Sequence, residues 1–152
     1  MTDGIFKISG LFGYARAAVV MSTQSETVFE WSVKLTANQY GNYRVGIASK
    51  LVPGDRNIFE YDEHAILYND YKGISVGGNT IHSNPDGHKN GDVVHFRVQP
   101  QTKTFVVRLV RISNCSTTNL QVKHGLEYEI DLQDNVNYFA VVQSANEAHL
   151  VS

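Results

Sequence analysis

Residues 29–36 constrain the fold most strongly, because apolar and polar side chains alternate along them without interruption. Successive side chains of a β-strand point to opposite faces, so this segment has one apolar face and one polar face. An apolar face needs a second layer to cover it, which predicts packed sheets. The only tryptophan, Trp31, lies on the apolar face and is predicted to be buried between the sheets. The residues of that face are Phe29, Trp31, Val33 and Leu35.

The same alternation recurs later in the chain, and no segment carries a helical period. Residues 92–98 and 104–110 form the clearest hairpin, and residues 128–132 alternate again. Short apolar runs separated by turn residues are typical of an all-β fold. A chain of 152 residues can bury one core, so we predict a single domain over 1–152, an antiparallel β-sandwich. Further strands are predicted at 5–9, 16–22, 42–48, 64–69, 73–76, 80–82, 120–123, 137–142 and 149–151.

The charge balance argues against nucleic-acid or membrane partners. There are 13 basic and 15 acidic residues, a net charge of −2, without the basic patch that such partners need. Arg97, Arg108 and Lys123 form a small basic spot only if their strands are neighbours, and a solvated face is the simpler interpretation. Cys115 is the only cysteine, so no intrachain disulfide is possible. With no apolar leader or long apolar run, we expect an intracellular, cytoplasmic protein.

Motifs for catalysis or metal binding are missing from the sequence. Four residues suggest a metal site, but their spacing fits no zinc ligand set. There is also no nucleophile elbow and no glycine-rich phosphate loop before a helix. We therefore expect no enzyme activity, no metal and no cofactor. The four residues are His82, Asp86, His88 and His95.

Tyr61 stands among three acidic residues, Glu60, Asp62 and Glu63. Two of these carboxyl groups could work as a general acid and base, which requires surroundings that perturb their pKa values. A solvated loop rim is the simpler interpretation.

Tyrosines fall in or beside several predicted loops. Tyrosine gives a large contact area at low entropic cost and is enriched in binding surfaces. The alternative is that some of these rings fill the core with their hydroxyl groups at its edge. The tyrosines concerned are Tyr40, Tyr43, Tyr61, Tyr68 and Tyr71.

Five short motifs, taken in order, resemble the core of a SPRY domain and together cover residues 28–151. They are FEWSVKL at 29–35, VGIA at 45–48, an aromatic and glycine-containing segment at 64–73, GDVV at 91–94 with Phe105 in the hairpin partner, and YFAVV at 138–142. Gly46, inside the second motif, indicates either close approach by another backbone or a local kink.

The resemblance implies a protein–protein interaction module that binds a peptide or loop of a partner. SPRY domains bind through variable loops, which correspond here to residues 50–61, with residues 68–71 and 39–43 as expected neighbours. Arg56, Phe59 and Tyr61 are the predicted anchors, because arginine and aromatic side chains dominate interface energies. Tyr40, Tyr43, Tyr68 and Tyr71 complete the predicted surface. We expect a monomer or a domain of a larger assembly.

A carbohydrate-binding sandwich of jelly-roll type is the alternative. Sugars stack on an exposed aromatic ring, and their hydroxyl groups need polar loop residues. An exposed Trp31 in a groove would favour sugar binding, whereas a buried Trp31 favours the peptide-binding hypothesis.

Overall fold

The computed structural model describes residues 13–16, 19–35, 43–50, 61–69, 73–83, 92–114, 121–144 and 148–151. Within these ranges the regular secondary structure is entirely β, and no helix is long and apolar enough to cross a membrane. The strands are β1 Gly13–Arg16, β2 Phe29–Leu35, β3 Tyr43–Ala48, β4 Ile66–Asn69, β5 Gly73–Val76, β6 Asn79–His82, β7 Val93–Gln99, β8 Thr104–Asn114, β9 Gln121–Asp131, β10 Phe139–Ser144 and β11 Ala148–Val151.

The strands form two antiparallel sheets that pack face to face. The six-stranded sheet has the order β1-β10-β3-β4-β5-β6, and the five-stranded sheet has the order β11-β2-β7-β8-β9. One buried apolar cluster draws residues from both sheets, for example Val45 and Ile66 from the first and Val94 and Val107 from the second. The predicted antiparallel β-sandwich is confirmed.

The alternation seen in the sequence becomes the two faces of the five-stranded sheet. In β7, Val94, Phe96 and Val98 are at most 1% exposed and face the core, whereas His95 points outward and is exposed. Pairing of Trp31 with Phe96 keeps the apolar side chains of β2 on the same inner face. The five-stranded sheet thus buries one face of aliphatic and aromatic side chains, which supplies much of the hydrophobic stabilisation.

Trp31 belongs to a stack of three aromatic rings on that inner face. Its ring centroid lies 5.4 Å from that of Phe96 and 6.1 Å from that of Phe105. The indole packs against the core cluster but is only partly buried. Trp31 therefore lies on the predicted face, although the sheets do not enclose it completely.

We expect replacement of Trp31 with alanine to lower the free energy of unfolding by about 3 kcal/mol, because it removes one ring of the stack and leaves a gap beside two others. Urea denaturation measures the loss. Trp31→Phe is the matched control, since it keeps a ring in the stack and should cost about half as much or less. Equal stability of the alanine variant and the wild type would show that the stack contributes nothing.

The middle of the six-stranded sheet is buried on both faces. Strand β4 has no exposed residue, and Leu67, at 0% exposure, belongs to a second apolar cluster on the face away from the main core. This explains why residues 65–68 read as a continuous apolar run rather than an alternating one. The other members of the second cluster are Ala48, Ala65, Phe139 and Val141.

Gly46 provides the close backbone approach that was one of its two predicted roles. Its φ is +156°, and a Cβ atom added there would lie 2.1 Å from the carbonyl oxygen of Ile66. Strands β3 and β4 pair through Gly46 and Leu67 at this point. The glycine is therefore required by the distance between two backbones.

Two predicted strand boundaries are wrong. The strand expected at 16–22 ends early: β1 stops at Arg16, and Met21 makes only an isolated bridge with Tyr138. The strands predicted at 120–123 and 128–132 are one strand, because β9 runs through Gly125 and pairs it with Val110. In both cases pairing with a neighbour, which local composition does not encode, decides where the strand ends. The strand predicted at 5–9 lies outside the described residues.

Candidate binding surface at one end of the sandwich

The connections between strands gather at the two ends of the sandwich. At one end, which we call the loop end, Ala48 pairs with Phe139 and the β7–β8 turn follows Gln99. Backbone hydrogen bonds between Met21 and Tyr138 tie further segments to this end. The described residues of the loop end are 19–28, 49–50, 61–65, 77–78, 100–103 and 132–138.

A buried carboxylate organises the segment that carries Tyr61. Asp62 is 0% exposed. It accepts hydrogen bonds from the backbone N–H groups of Ser49 at 2.5 Å, Lys50 at 3.1 Å and His64 at 3.0 Å, and from the Ser49 hydroxyl at 2.6 Å. Hydrogen bonds to a charged acceptor are the stronger kind. Asp62 therefore fixes the residues on both sides of the segment 51–60.

The solvated loop rim proposed for the acidic residues is correct for Glu63, which is exposed, and wrong for Asp62. The four donors around Asp62 replace the water that a solvated carboxylate would bind. This role requires groups distant in sequence, such as Ser49, to converge on one side chain. Glu60 lies outside the described residues.

Tyr138 lies beneath the same end, with 1% of its surface exposed. Its hydroxyl oxygen accepts a hydrogen bond from the backbone N–H of Gln133 at 3.1 Å. Burial raises the pKa of the Tyr138 phenol above its ordinary value, the Gln133 N–H opposes the shift, and the negative charge of Asp62 adds to it. The phenol is therefore kept neutral in the folded state.

This shift predicts a loss of stability in alkali. Because the folded-state pKa is raised, the stabilisation from the neutral phenol is complete below the unfolded-state pKa of about 10 and is lost as the pH rises through the folded-state value. The unfolding free energies of the wild type and of Tyr138→Phe are compared at each pH. The difference between them should shrink above pH ~10. Chemical denaturation across this range measures the effect. Tyr61→Phe, at an exposed tyrosine, is the control; a constant difference for Tyr138→Phe would contradict the prediction.

A polar brace joins three segments of the loop end. Asp134 accepts hydrogen bonds from the Thr23 hydroxyl at 2.9 Å and from Lys103 Nζ at 3.2 Å. The bond from Thr23, and then the bond and charge of Lys103, hold the pKa of Asp134 below its usual value. Lys103 and Asp134 are solvent-exposed, so the main effect of their ion pair is to align the segments rather than to stabilise the fold.

Exposed apolar side chains concentrate at the loop end. Tyr61 is 42% exposed, and three valines of the segment 19–28 are about half exposed. Among the residues whose side-chain exposure the structure describes, the one other large apolar side chain with comparable exposure is Ile81, on the end strand β6. Single exposed apolar residues are ordinary, but several at one end are typical of an interaction surface. The three valines are Val19 at 53%, Val20 at 56% and Val28 at 49%.

Among the predicted binding residues, the structure places Tyr61 at the loop end with its side chain exposed. Tyr68 is 3% exposed and is part of the core, so it is not available to a partner; it faces inward because it alternates with Leu67 along β4. Tyr43 begins β3. Arg56, Phe59, Tyr40 and Tyr71 lie outside the described residues.

The residues that flank the three predicted loop segments do not all lie at one end of the sheet. Arg44 pairs with Asn69, whereas Ile47 pairs with Ile66. The residues that flank 39–42 and 70–72 therefore lie at one end of the sheet, and those that flank 51–60 lie at the other, since Arg44 and Ile47 are three residues or about 10 Å apart along the strand. Spacing along the sequence does not reveal this, because the end to which a loop belongs depends on strand direction.

Sequence reasoning missed the three valines of the loop end. They break the period-2 pattern, since Val19 and Val20 are adjacent and Val28 is next to the apolar Phe29. Val19 and Val20 fall inside the strand predicted at 16–22, and Val28 directly precedes the run at 29–36. Their failure to alternate is the signal that could have found them.

Comparison with solved structures identifies the fold. The SPRY domain of human HERC1 superposes with a TM-score of 0.61 at 15% identity, covering 95% of this chain and 84% of that chain. Lectin II from Ulex europaeus gives 0.58 at 12% identity, and lectin UEA-II complexed with galactose gives 0.58 at 11%; both cover 97% of this chain and 84% of the other. No family model and no curated protein matches the sequence. The predicted resemblance is thus confirmed at the level of fold: this chain is a SPRY-like β-sandwich, of an architecture that it shares with these lectins.

Proposed function

We propose that this chain is a protein-binding module that recognises a peptide or loop of a partner with its loop end. The observation that carries the proposal is the set of exposed apolar side chains there, Val19, Val20, Val28 and Tyr61. Tyr61 is the proposed anchor. Arg56 and Phe59, in the segment that precedes it, are proposed to contribute as well.

The surroundings of Tyr61 support this role. The next residue, Asp62, is held by four hydrogen bonds, so the backbone at Tyr61 is fixed before a partner arrives. A preorganised anchor loses less conformational entropy on binding. The fold supports a binding module too, since the solved structures that share it are a SPRY domain and lectins.

Carbohydrate binding is less well supported as the main function. The ring that would serve as its platform, Trp31, stacks on Phe96 and Phe105 at the inner face of the sheet. A sugar that binds by stacking would need an exposed ring.

The loop-end proposal predicts the effect of alanine substitution on binding. A peptide selected from a random library for binding to the folded domain should bind Tyr61→Ala at least tenfold more weakly than wild type, since a central aromatic anchor contributes about 2 kcal/mol. Isothermal titration calorimetry measures the change, and Val28→Ala should show a smaller loss in the same direction.

Ile81→Ala is the matched control, because Ile81 is 45% exposed but lies on β6 rather than at the loop end. Its affinity for the peptide should equal that of wild type. Unchanged binding by a folded Tyr61→Ala variant, or loss of binding on Ile81→Ala alone, would contradict the proposal.

A further inference from the structure

The outer face of the five-stranded sheet carries a groove that is separate from the loop end. It crosses β2, β7, β8 and β9 and encloses about 440 Å³, within the range of small-molecule sites. Its floor includes Val106, which points away from the core and is nevertheless only 3% exposed. Polar side chains surround this apolar floor: Glu30, Ser32, His95, Arg97, Arg108 and Glu127.

Strand register sets the charge pattern of the groove. One row across the sheet pairs Ser32 with His95, His95 with Arg108, and Arg108 with Glu127. In the next row Glu30 pairs with Arg97. The two guanidinium groups therefore lie on the central strands, and the two carboxylates lie on the flanking strands.

Both guanidinium groups have unused hydrogen-bonding capacity. Arg97 contacts Glu30 at 3.7 Å, too long for a hydrogen bond, and its Nε atom is buried without a hydrogen-bond partner in the described part of the chain. Arg108 forms no ion pair or hydrogen bond with any described residue, although Glu127 faces it in register. A buried donor without a partner is costly, and a planar guanidinium group suits a carboxylate that can accept two bonds.

We propose that this groove binds a saccharide that carries a uronic acid. Arginine only donates hydrogen bonds and an ionised glutamate only accepts them, so the ligand must present a carboxylate to Arg97 and Arg108 and donors to Glu30 and Glu127. The charges of these four residues balance, which gives a simple anion little net attraction. A single ammonium group on the ligand could donate to only one of the two glutamates, whereas the hydroxyl groups of a sugar ring can donate to both.

The width of the groove sets the size of the ligand. Strands β2 and β9 are three inter-strand steps apart, about 14 Å, which suits a disaccharide better than a single sugar ring. The Ser32 hydroxyl and His95 Nδ1 already form a hydrogen bond with each other. This bond holds both side chains in place at the side of the groove.

Titration with a matched pair of disaccharides tests the proposal. Cellobiouronic acid and cellobiose differ by one carboxylate in place of a hydroxymethyl group. We expect the acid to bind saturably, about tenfold or more tightly than the neutral sugar, and to shift the amide NMR signals of β7 and β8.

Arg108→Gln and Arg97→Gln should each weaken binding of the acid by about tenfold or more. Lys103→Gln removes the same charge from an exposed side chain at the loop end. It should leave the affinity for the acid unchanged. Absence of saturable binding, equal binding of cellobiose, or full affinity in a folded Arg108→Gln variant would overturn the proposal. Peptide binding at the loop end does not depend on this groove. The experiments on peptide binding and on saccharide binding can therefore fail independently of each other.

Discussion

Replacing Gly46 with alanine is expected to lower the free energy of unfolding by roughly 3–5 kcal/mol, a large part of what a domain has. The new Cβ atom would lie 2.1 Å from the Ile66 carbonyl oxygen, far inside van der Waals contact, and the atom that must move belongs to a paired backbone. The φ of +156° adds strain for any residue with a side chain. Thermal unfolding should show a decrease of roughly 10 °C or more in midpoint.

Gly78→Ala separates the two causes. Gly78 also has a positive φ, +94°, but it is exposed in the β5–β6 turn. The Gly78→Ala substitution should cost about 1 kcal/mol, because it adds only the strain of a side chain at positive φ and no steric contact. Equal losses for the two variants would show that the contact between β3 and β4 is unimportant.

Replacing Asp62 with alanine is expected to cost about 4 kcal/mol, because three backbone N–H groups and the Ser49 hydroxyl lose their acceptor. The substitution should also weaken peptide binding, since the backbone at Tyr61 would no longer be held in place. Urea denaturation and calorimetry measure the two effects on the same sample.

Asp62→Asn keeps one acceptor oxygen and should lose about half as much stability. Asp134→Ala is the control for loss of an exposed carboxylate at the same end, and its expected cost is small. If Asp62→Ala were as stable as Asp134→Ala, the buried carboxylate would not organise the loop end.

The sequence predicted the sheets well because their pattern is local. Alternation in residues 29–35 and 93–99 is a direct consequence of strand geometry, and both strands formed with the expected faces. The β5–β6 turn lies between the strands predicted at 73–76 and 80–82, and Gly77 and Gly78 there have the positive φ that the hairpin needs. Boundaries set by pairing, such as the passage of β9 through Gly125, were not readable in this way.

The candidate surface was less predictable because it depends on relations between distant residues. Tyr61 was predicted as an anchor, but the burial of its neighbour Asp62 depends on donors that come from another strand end. Tyr68 was predicted near the end of a strand, beside a loop, and is part of the core, since only the pairing of β4 decides its direction. The neighbours of Arg97 and Arg108 likewise follow from register alone.

Hydrogen exchange of the domain with and without a library-selected peptide tests the central claim most directly. If the loop end is the binding surface, bound peptide should slow exchange of backbone amides in 19–28, 61–65 and 100–103, and leave the β7 and β8 amides that bracket the outer groove unchanged. Tyr61→Ala should abolish this pattern at the same peptide concentration. Protection confined to the outer face of the five-stranded sheet, or to the opposite end near Asn69 and Gly73, would contradict the account.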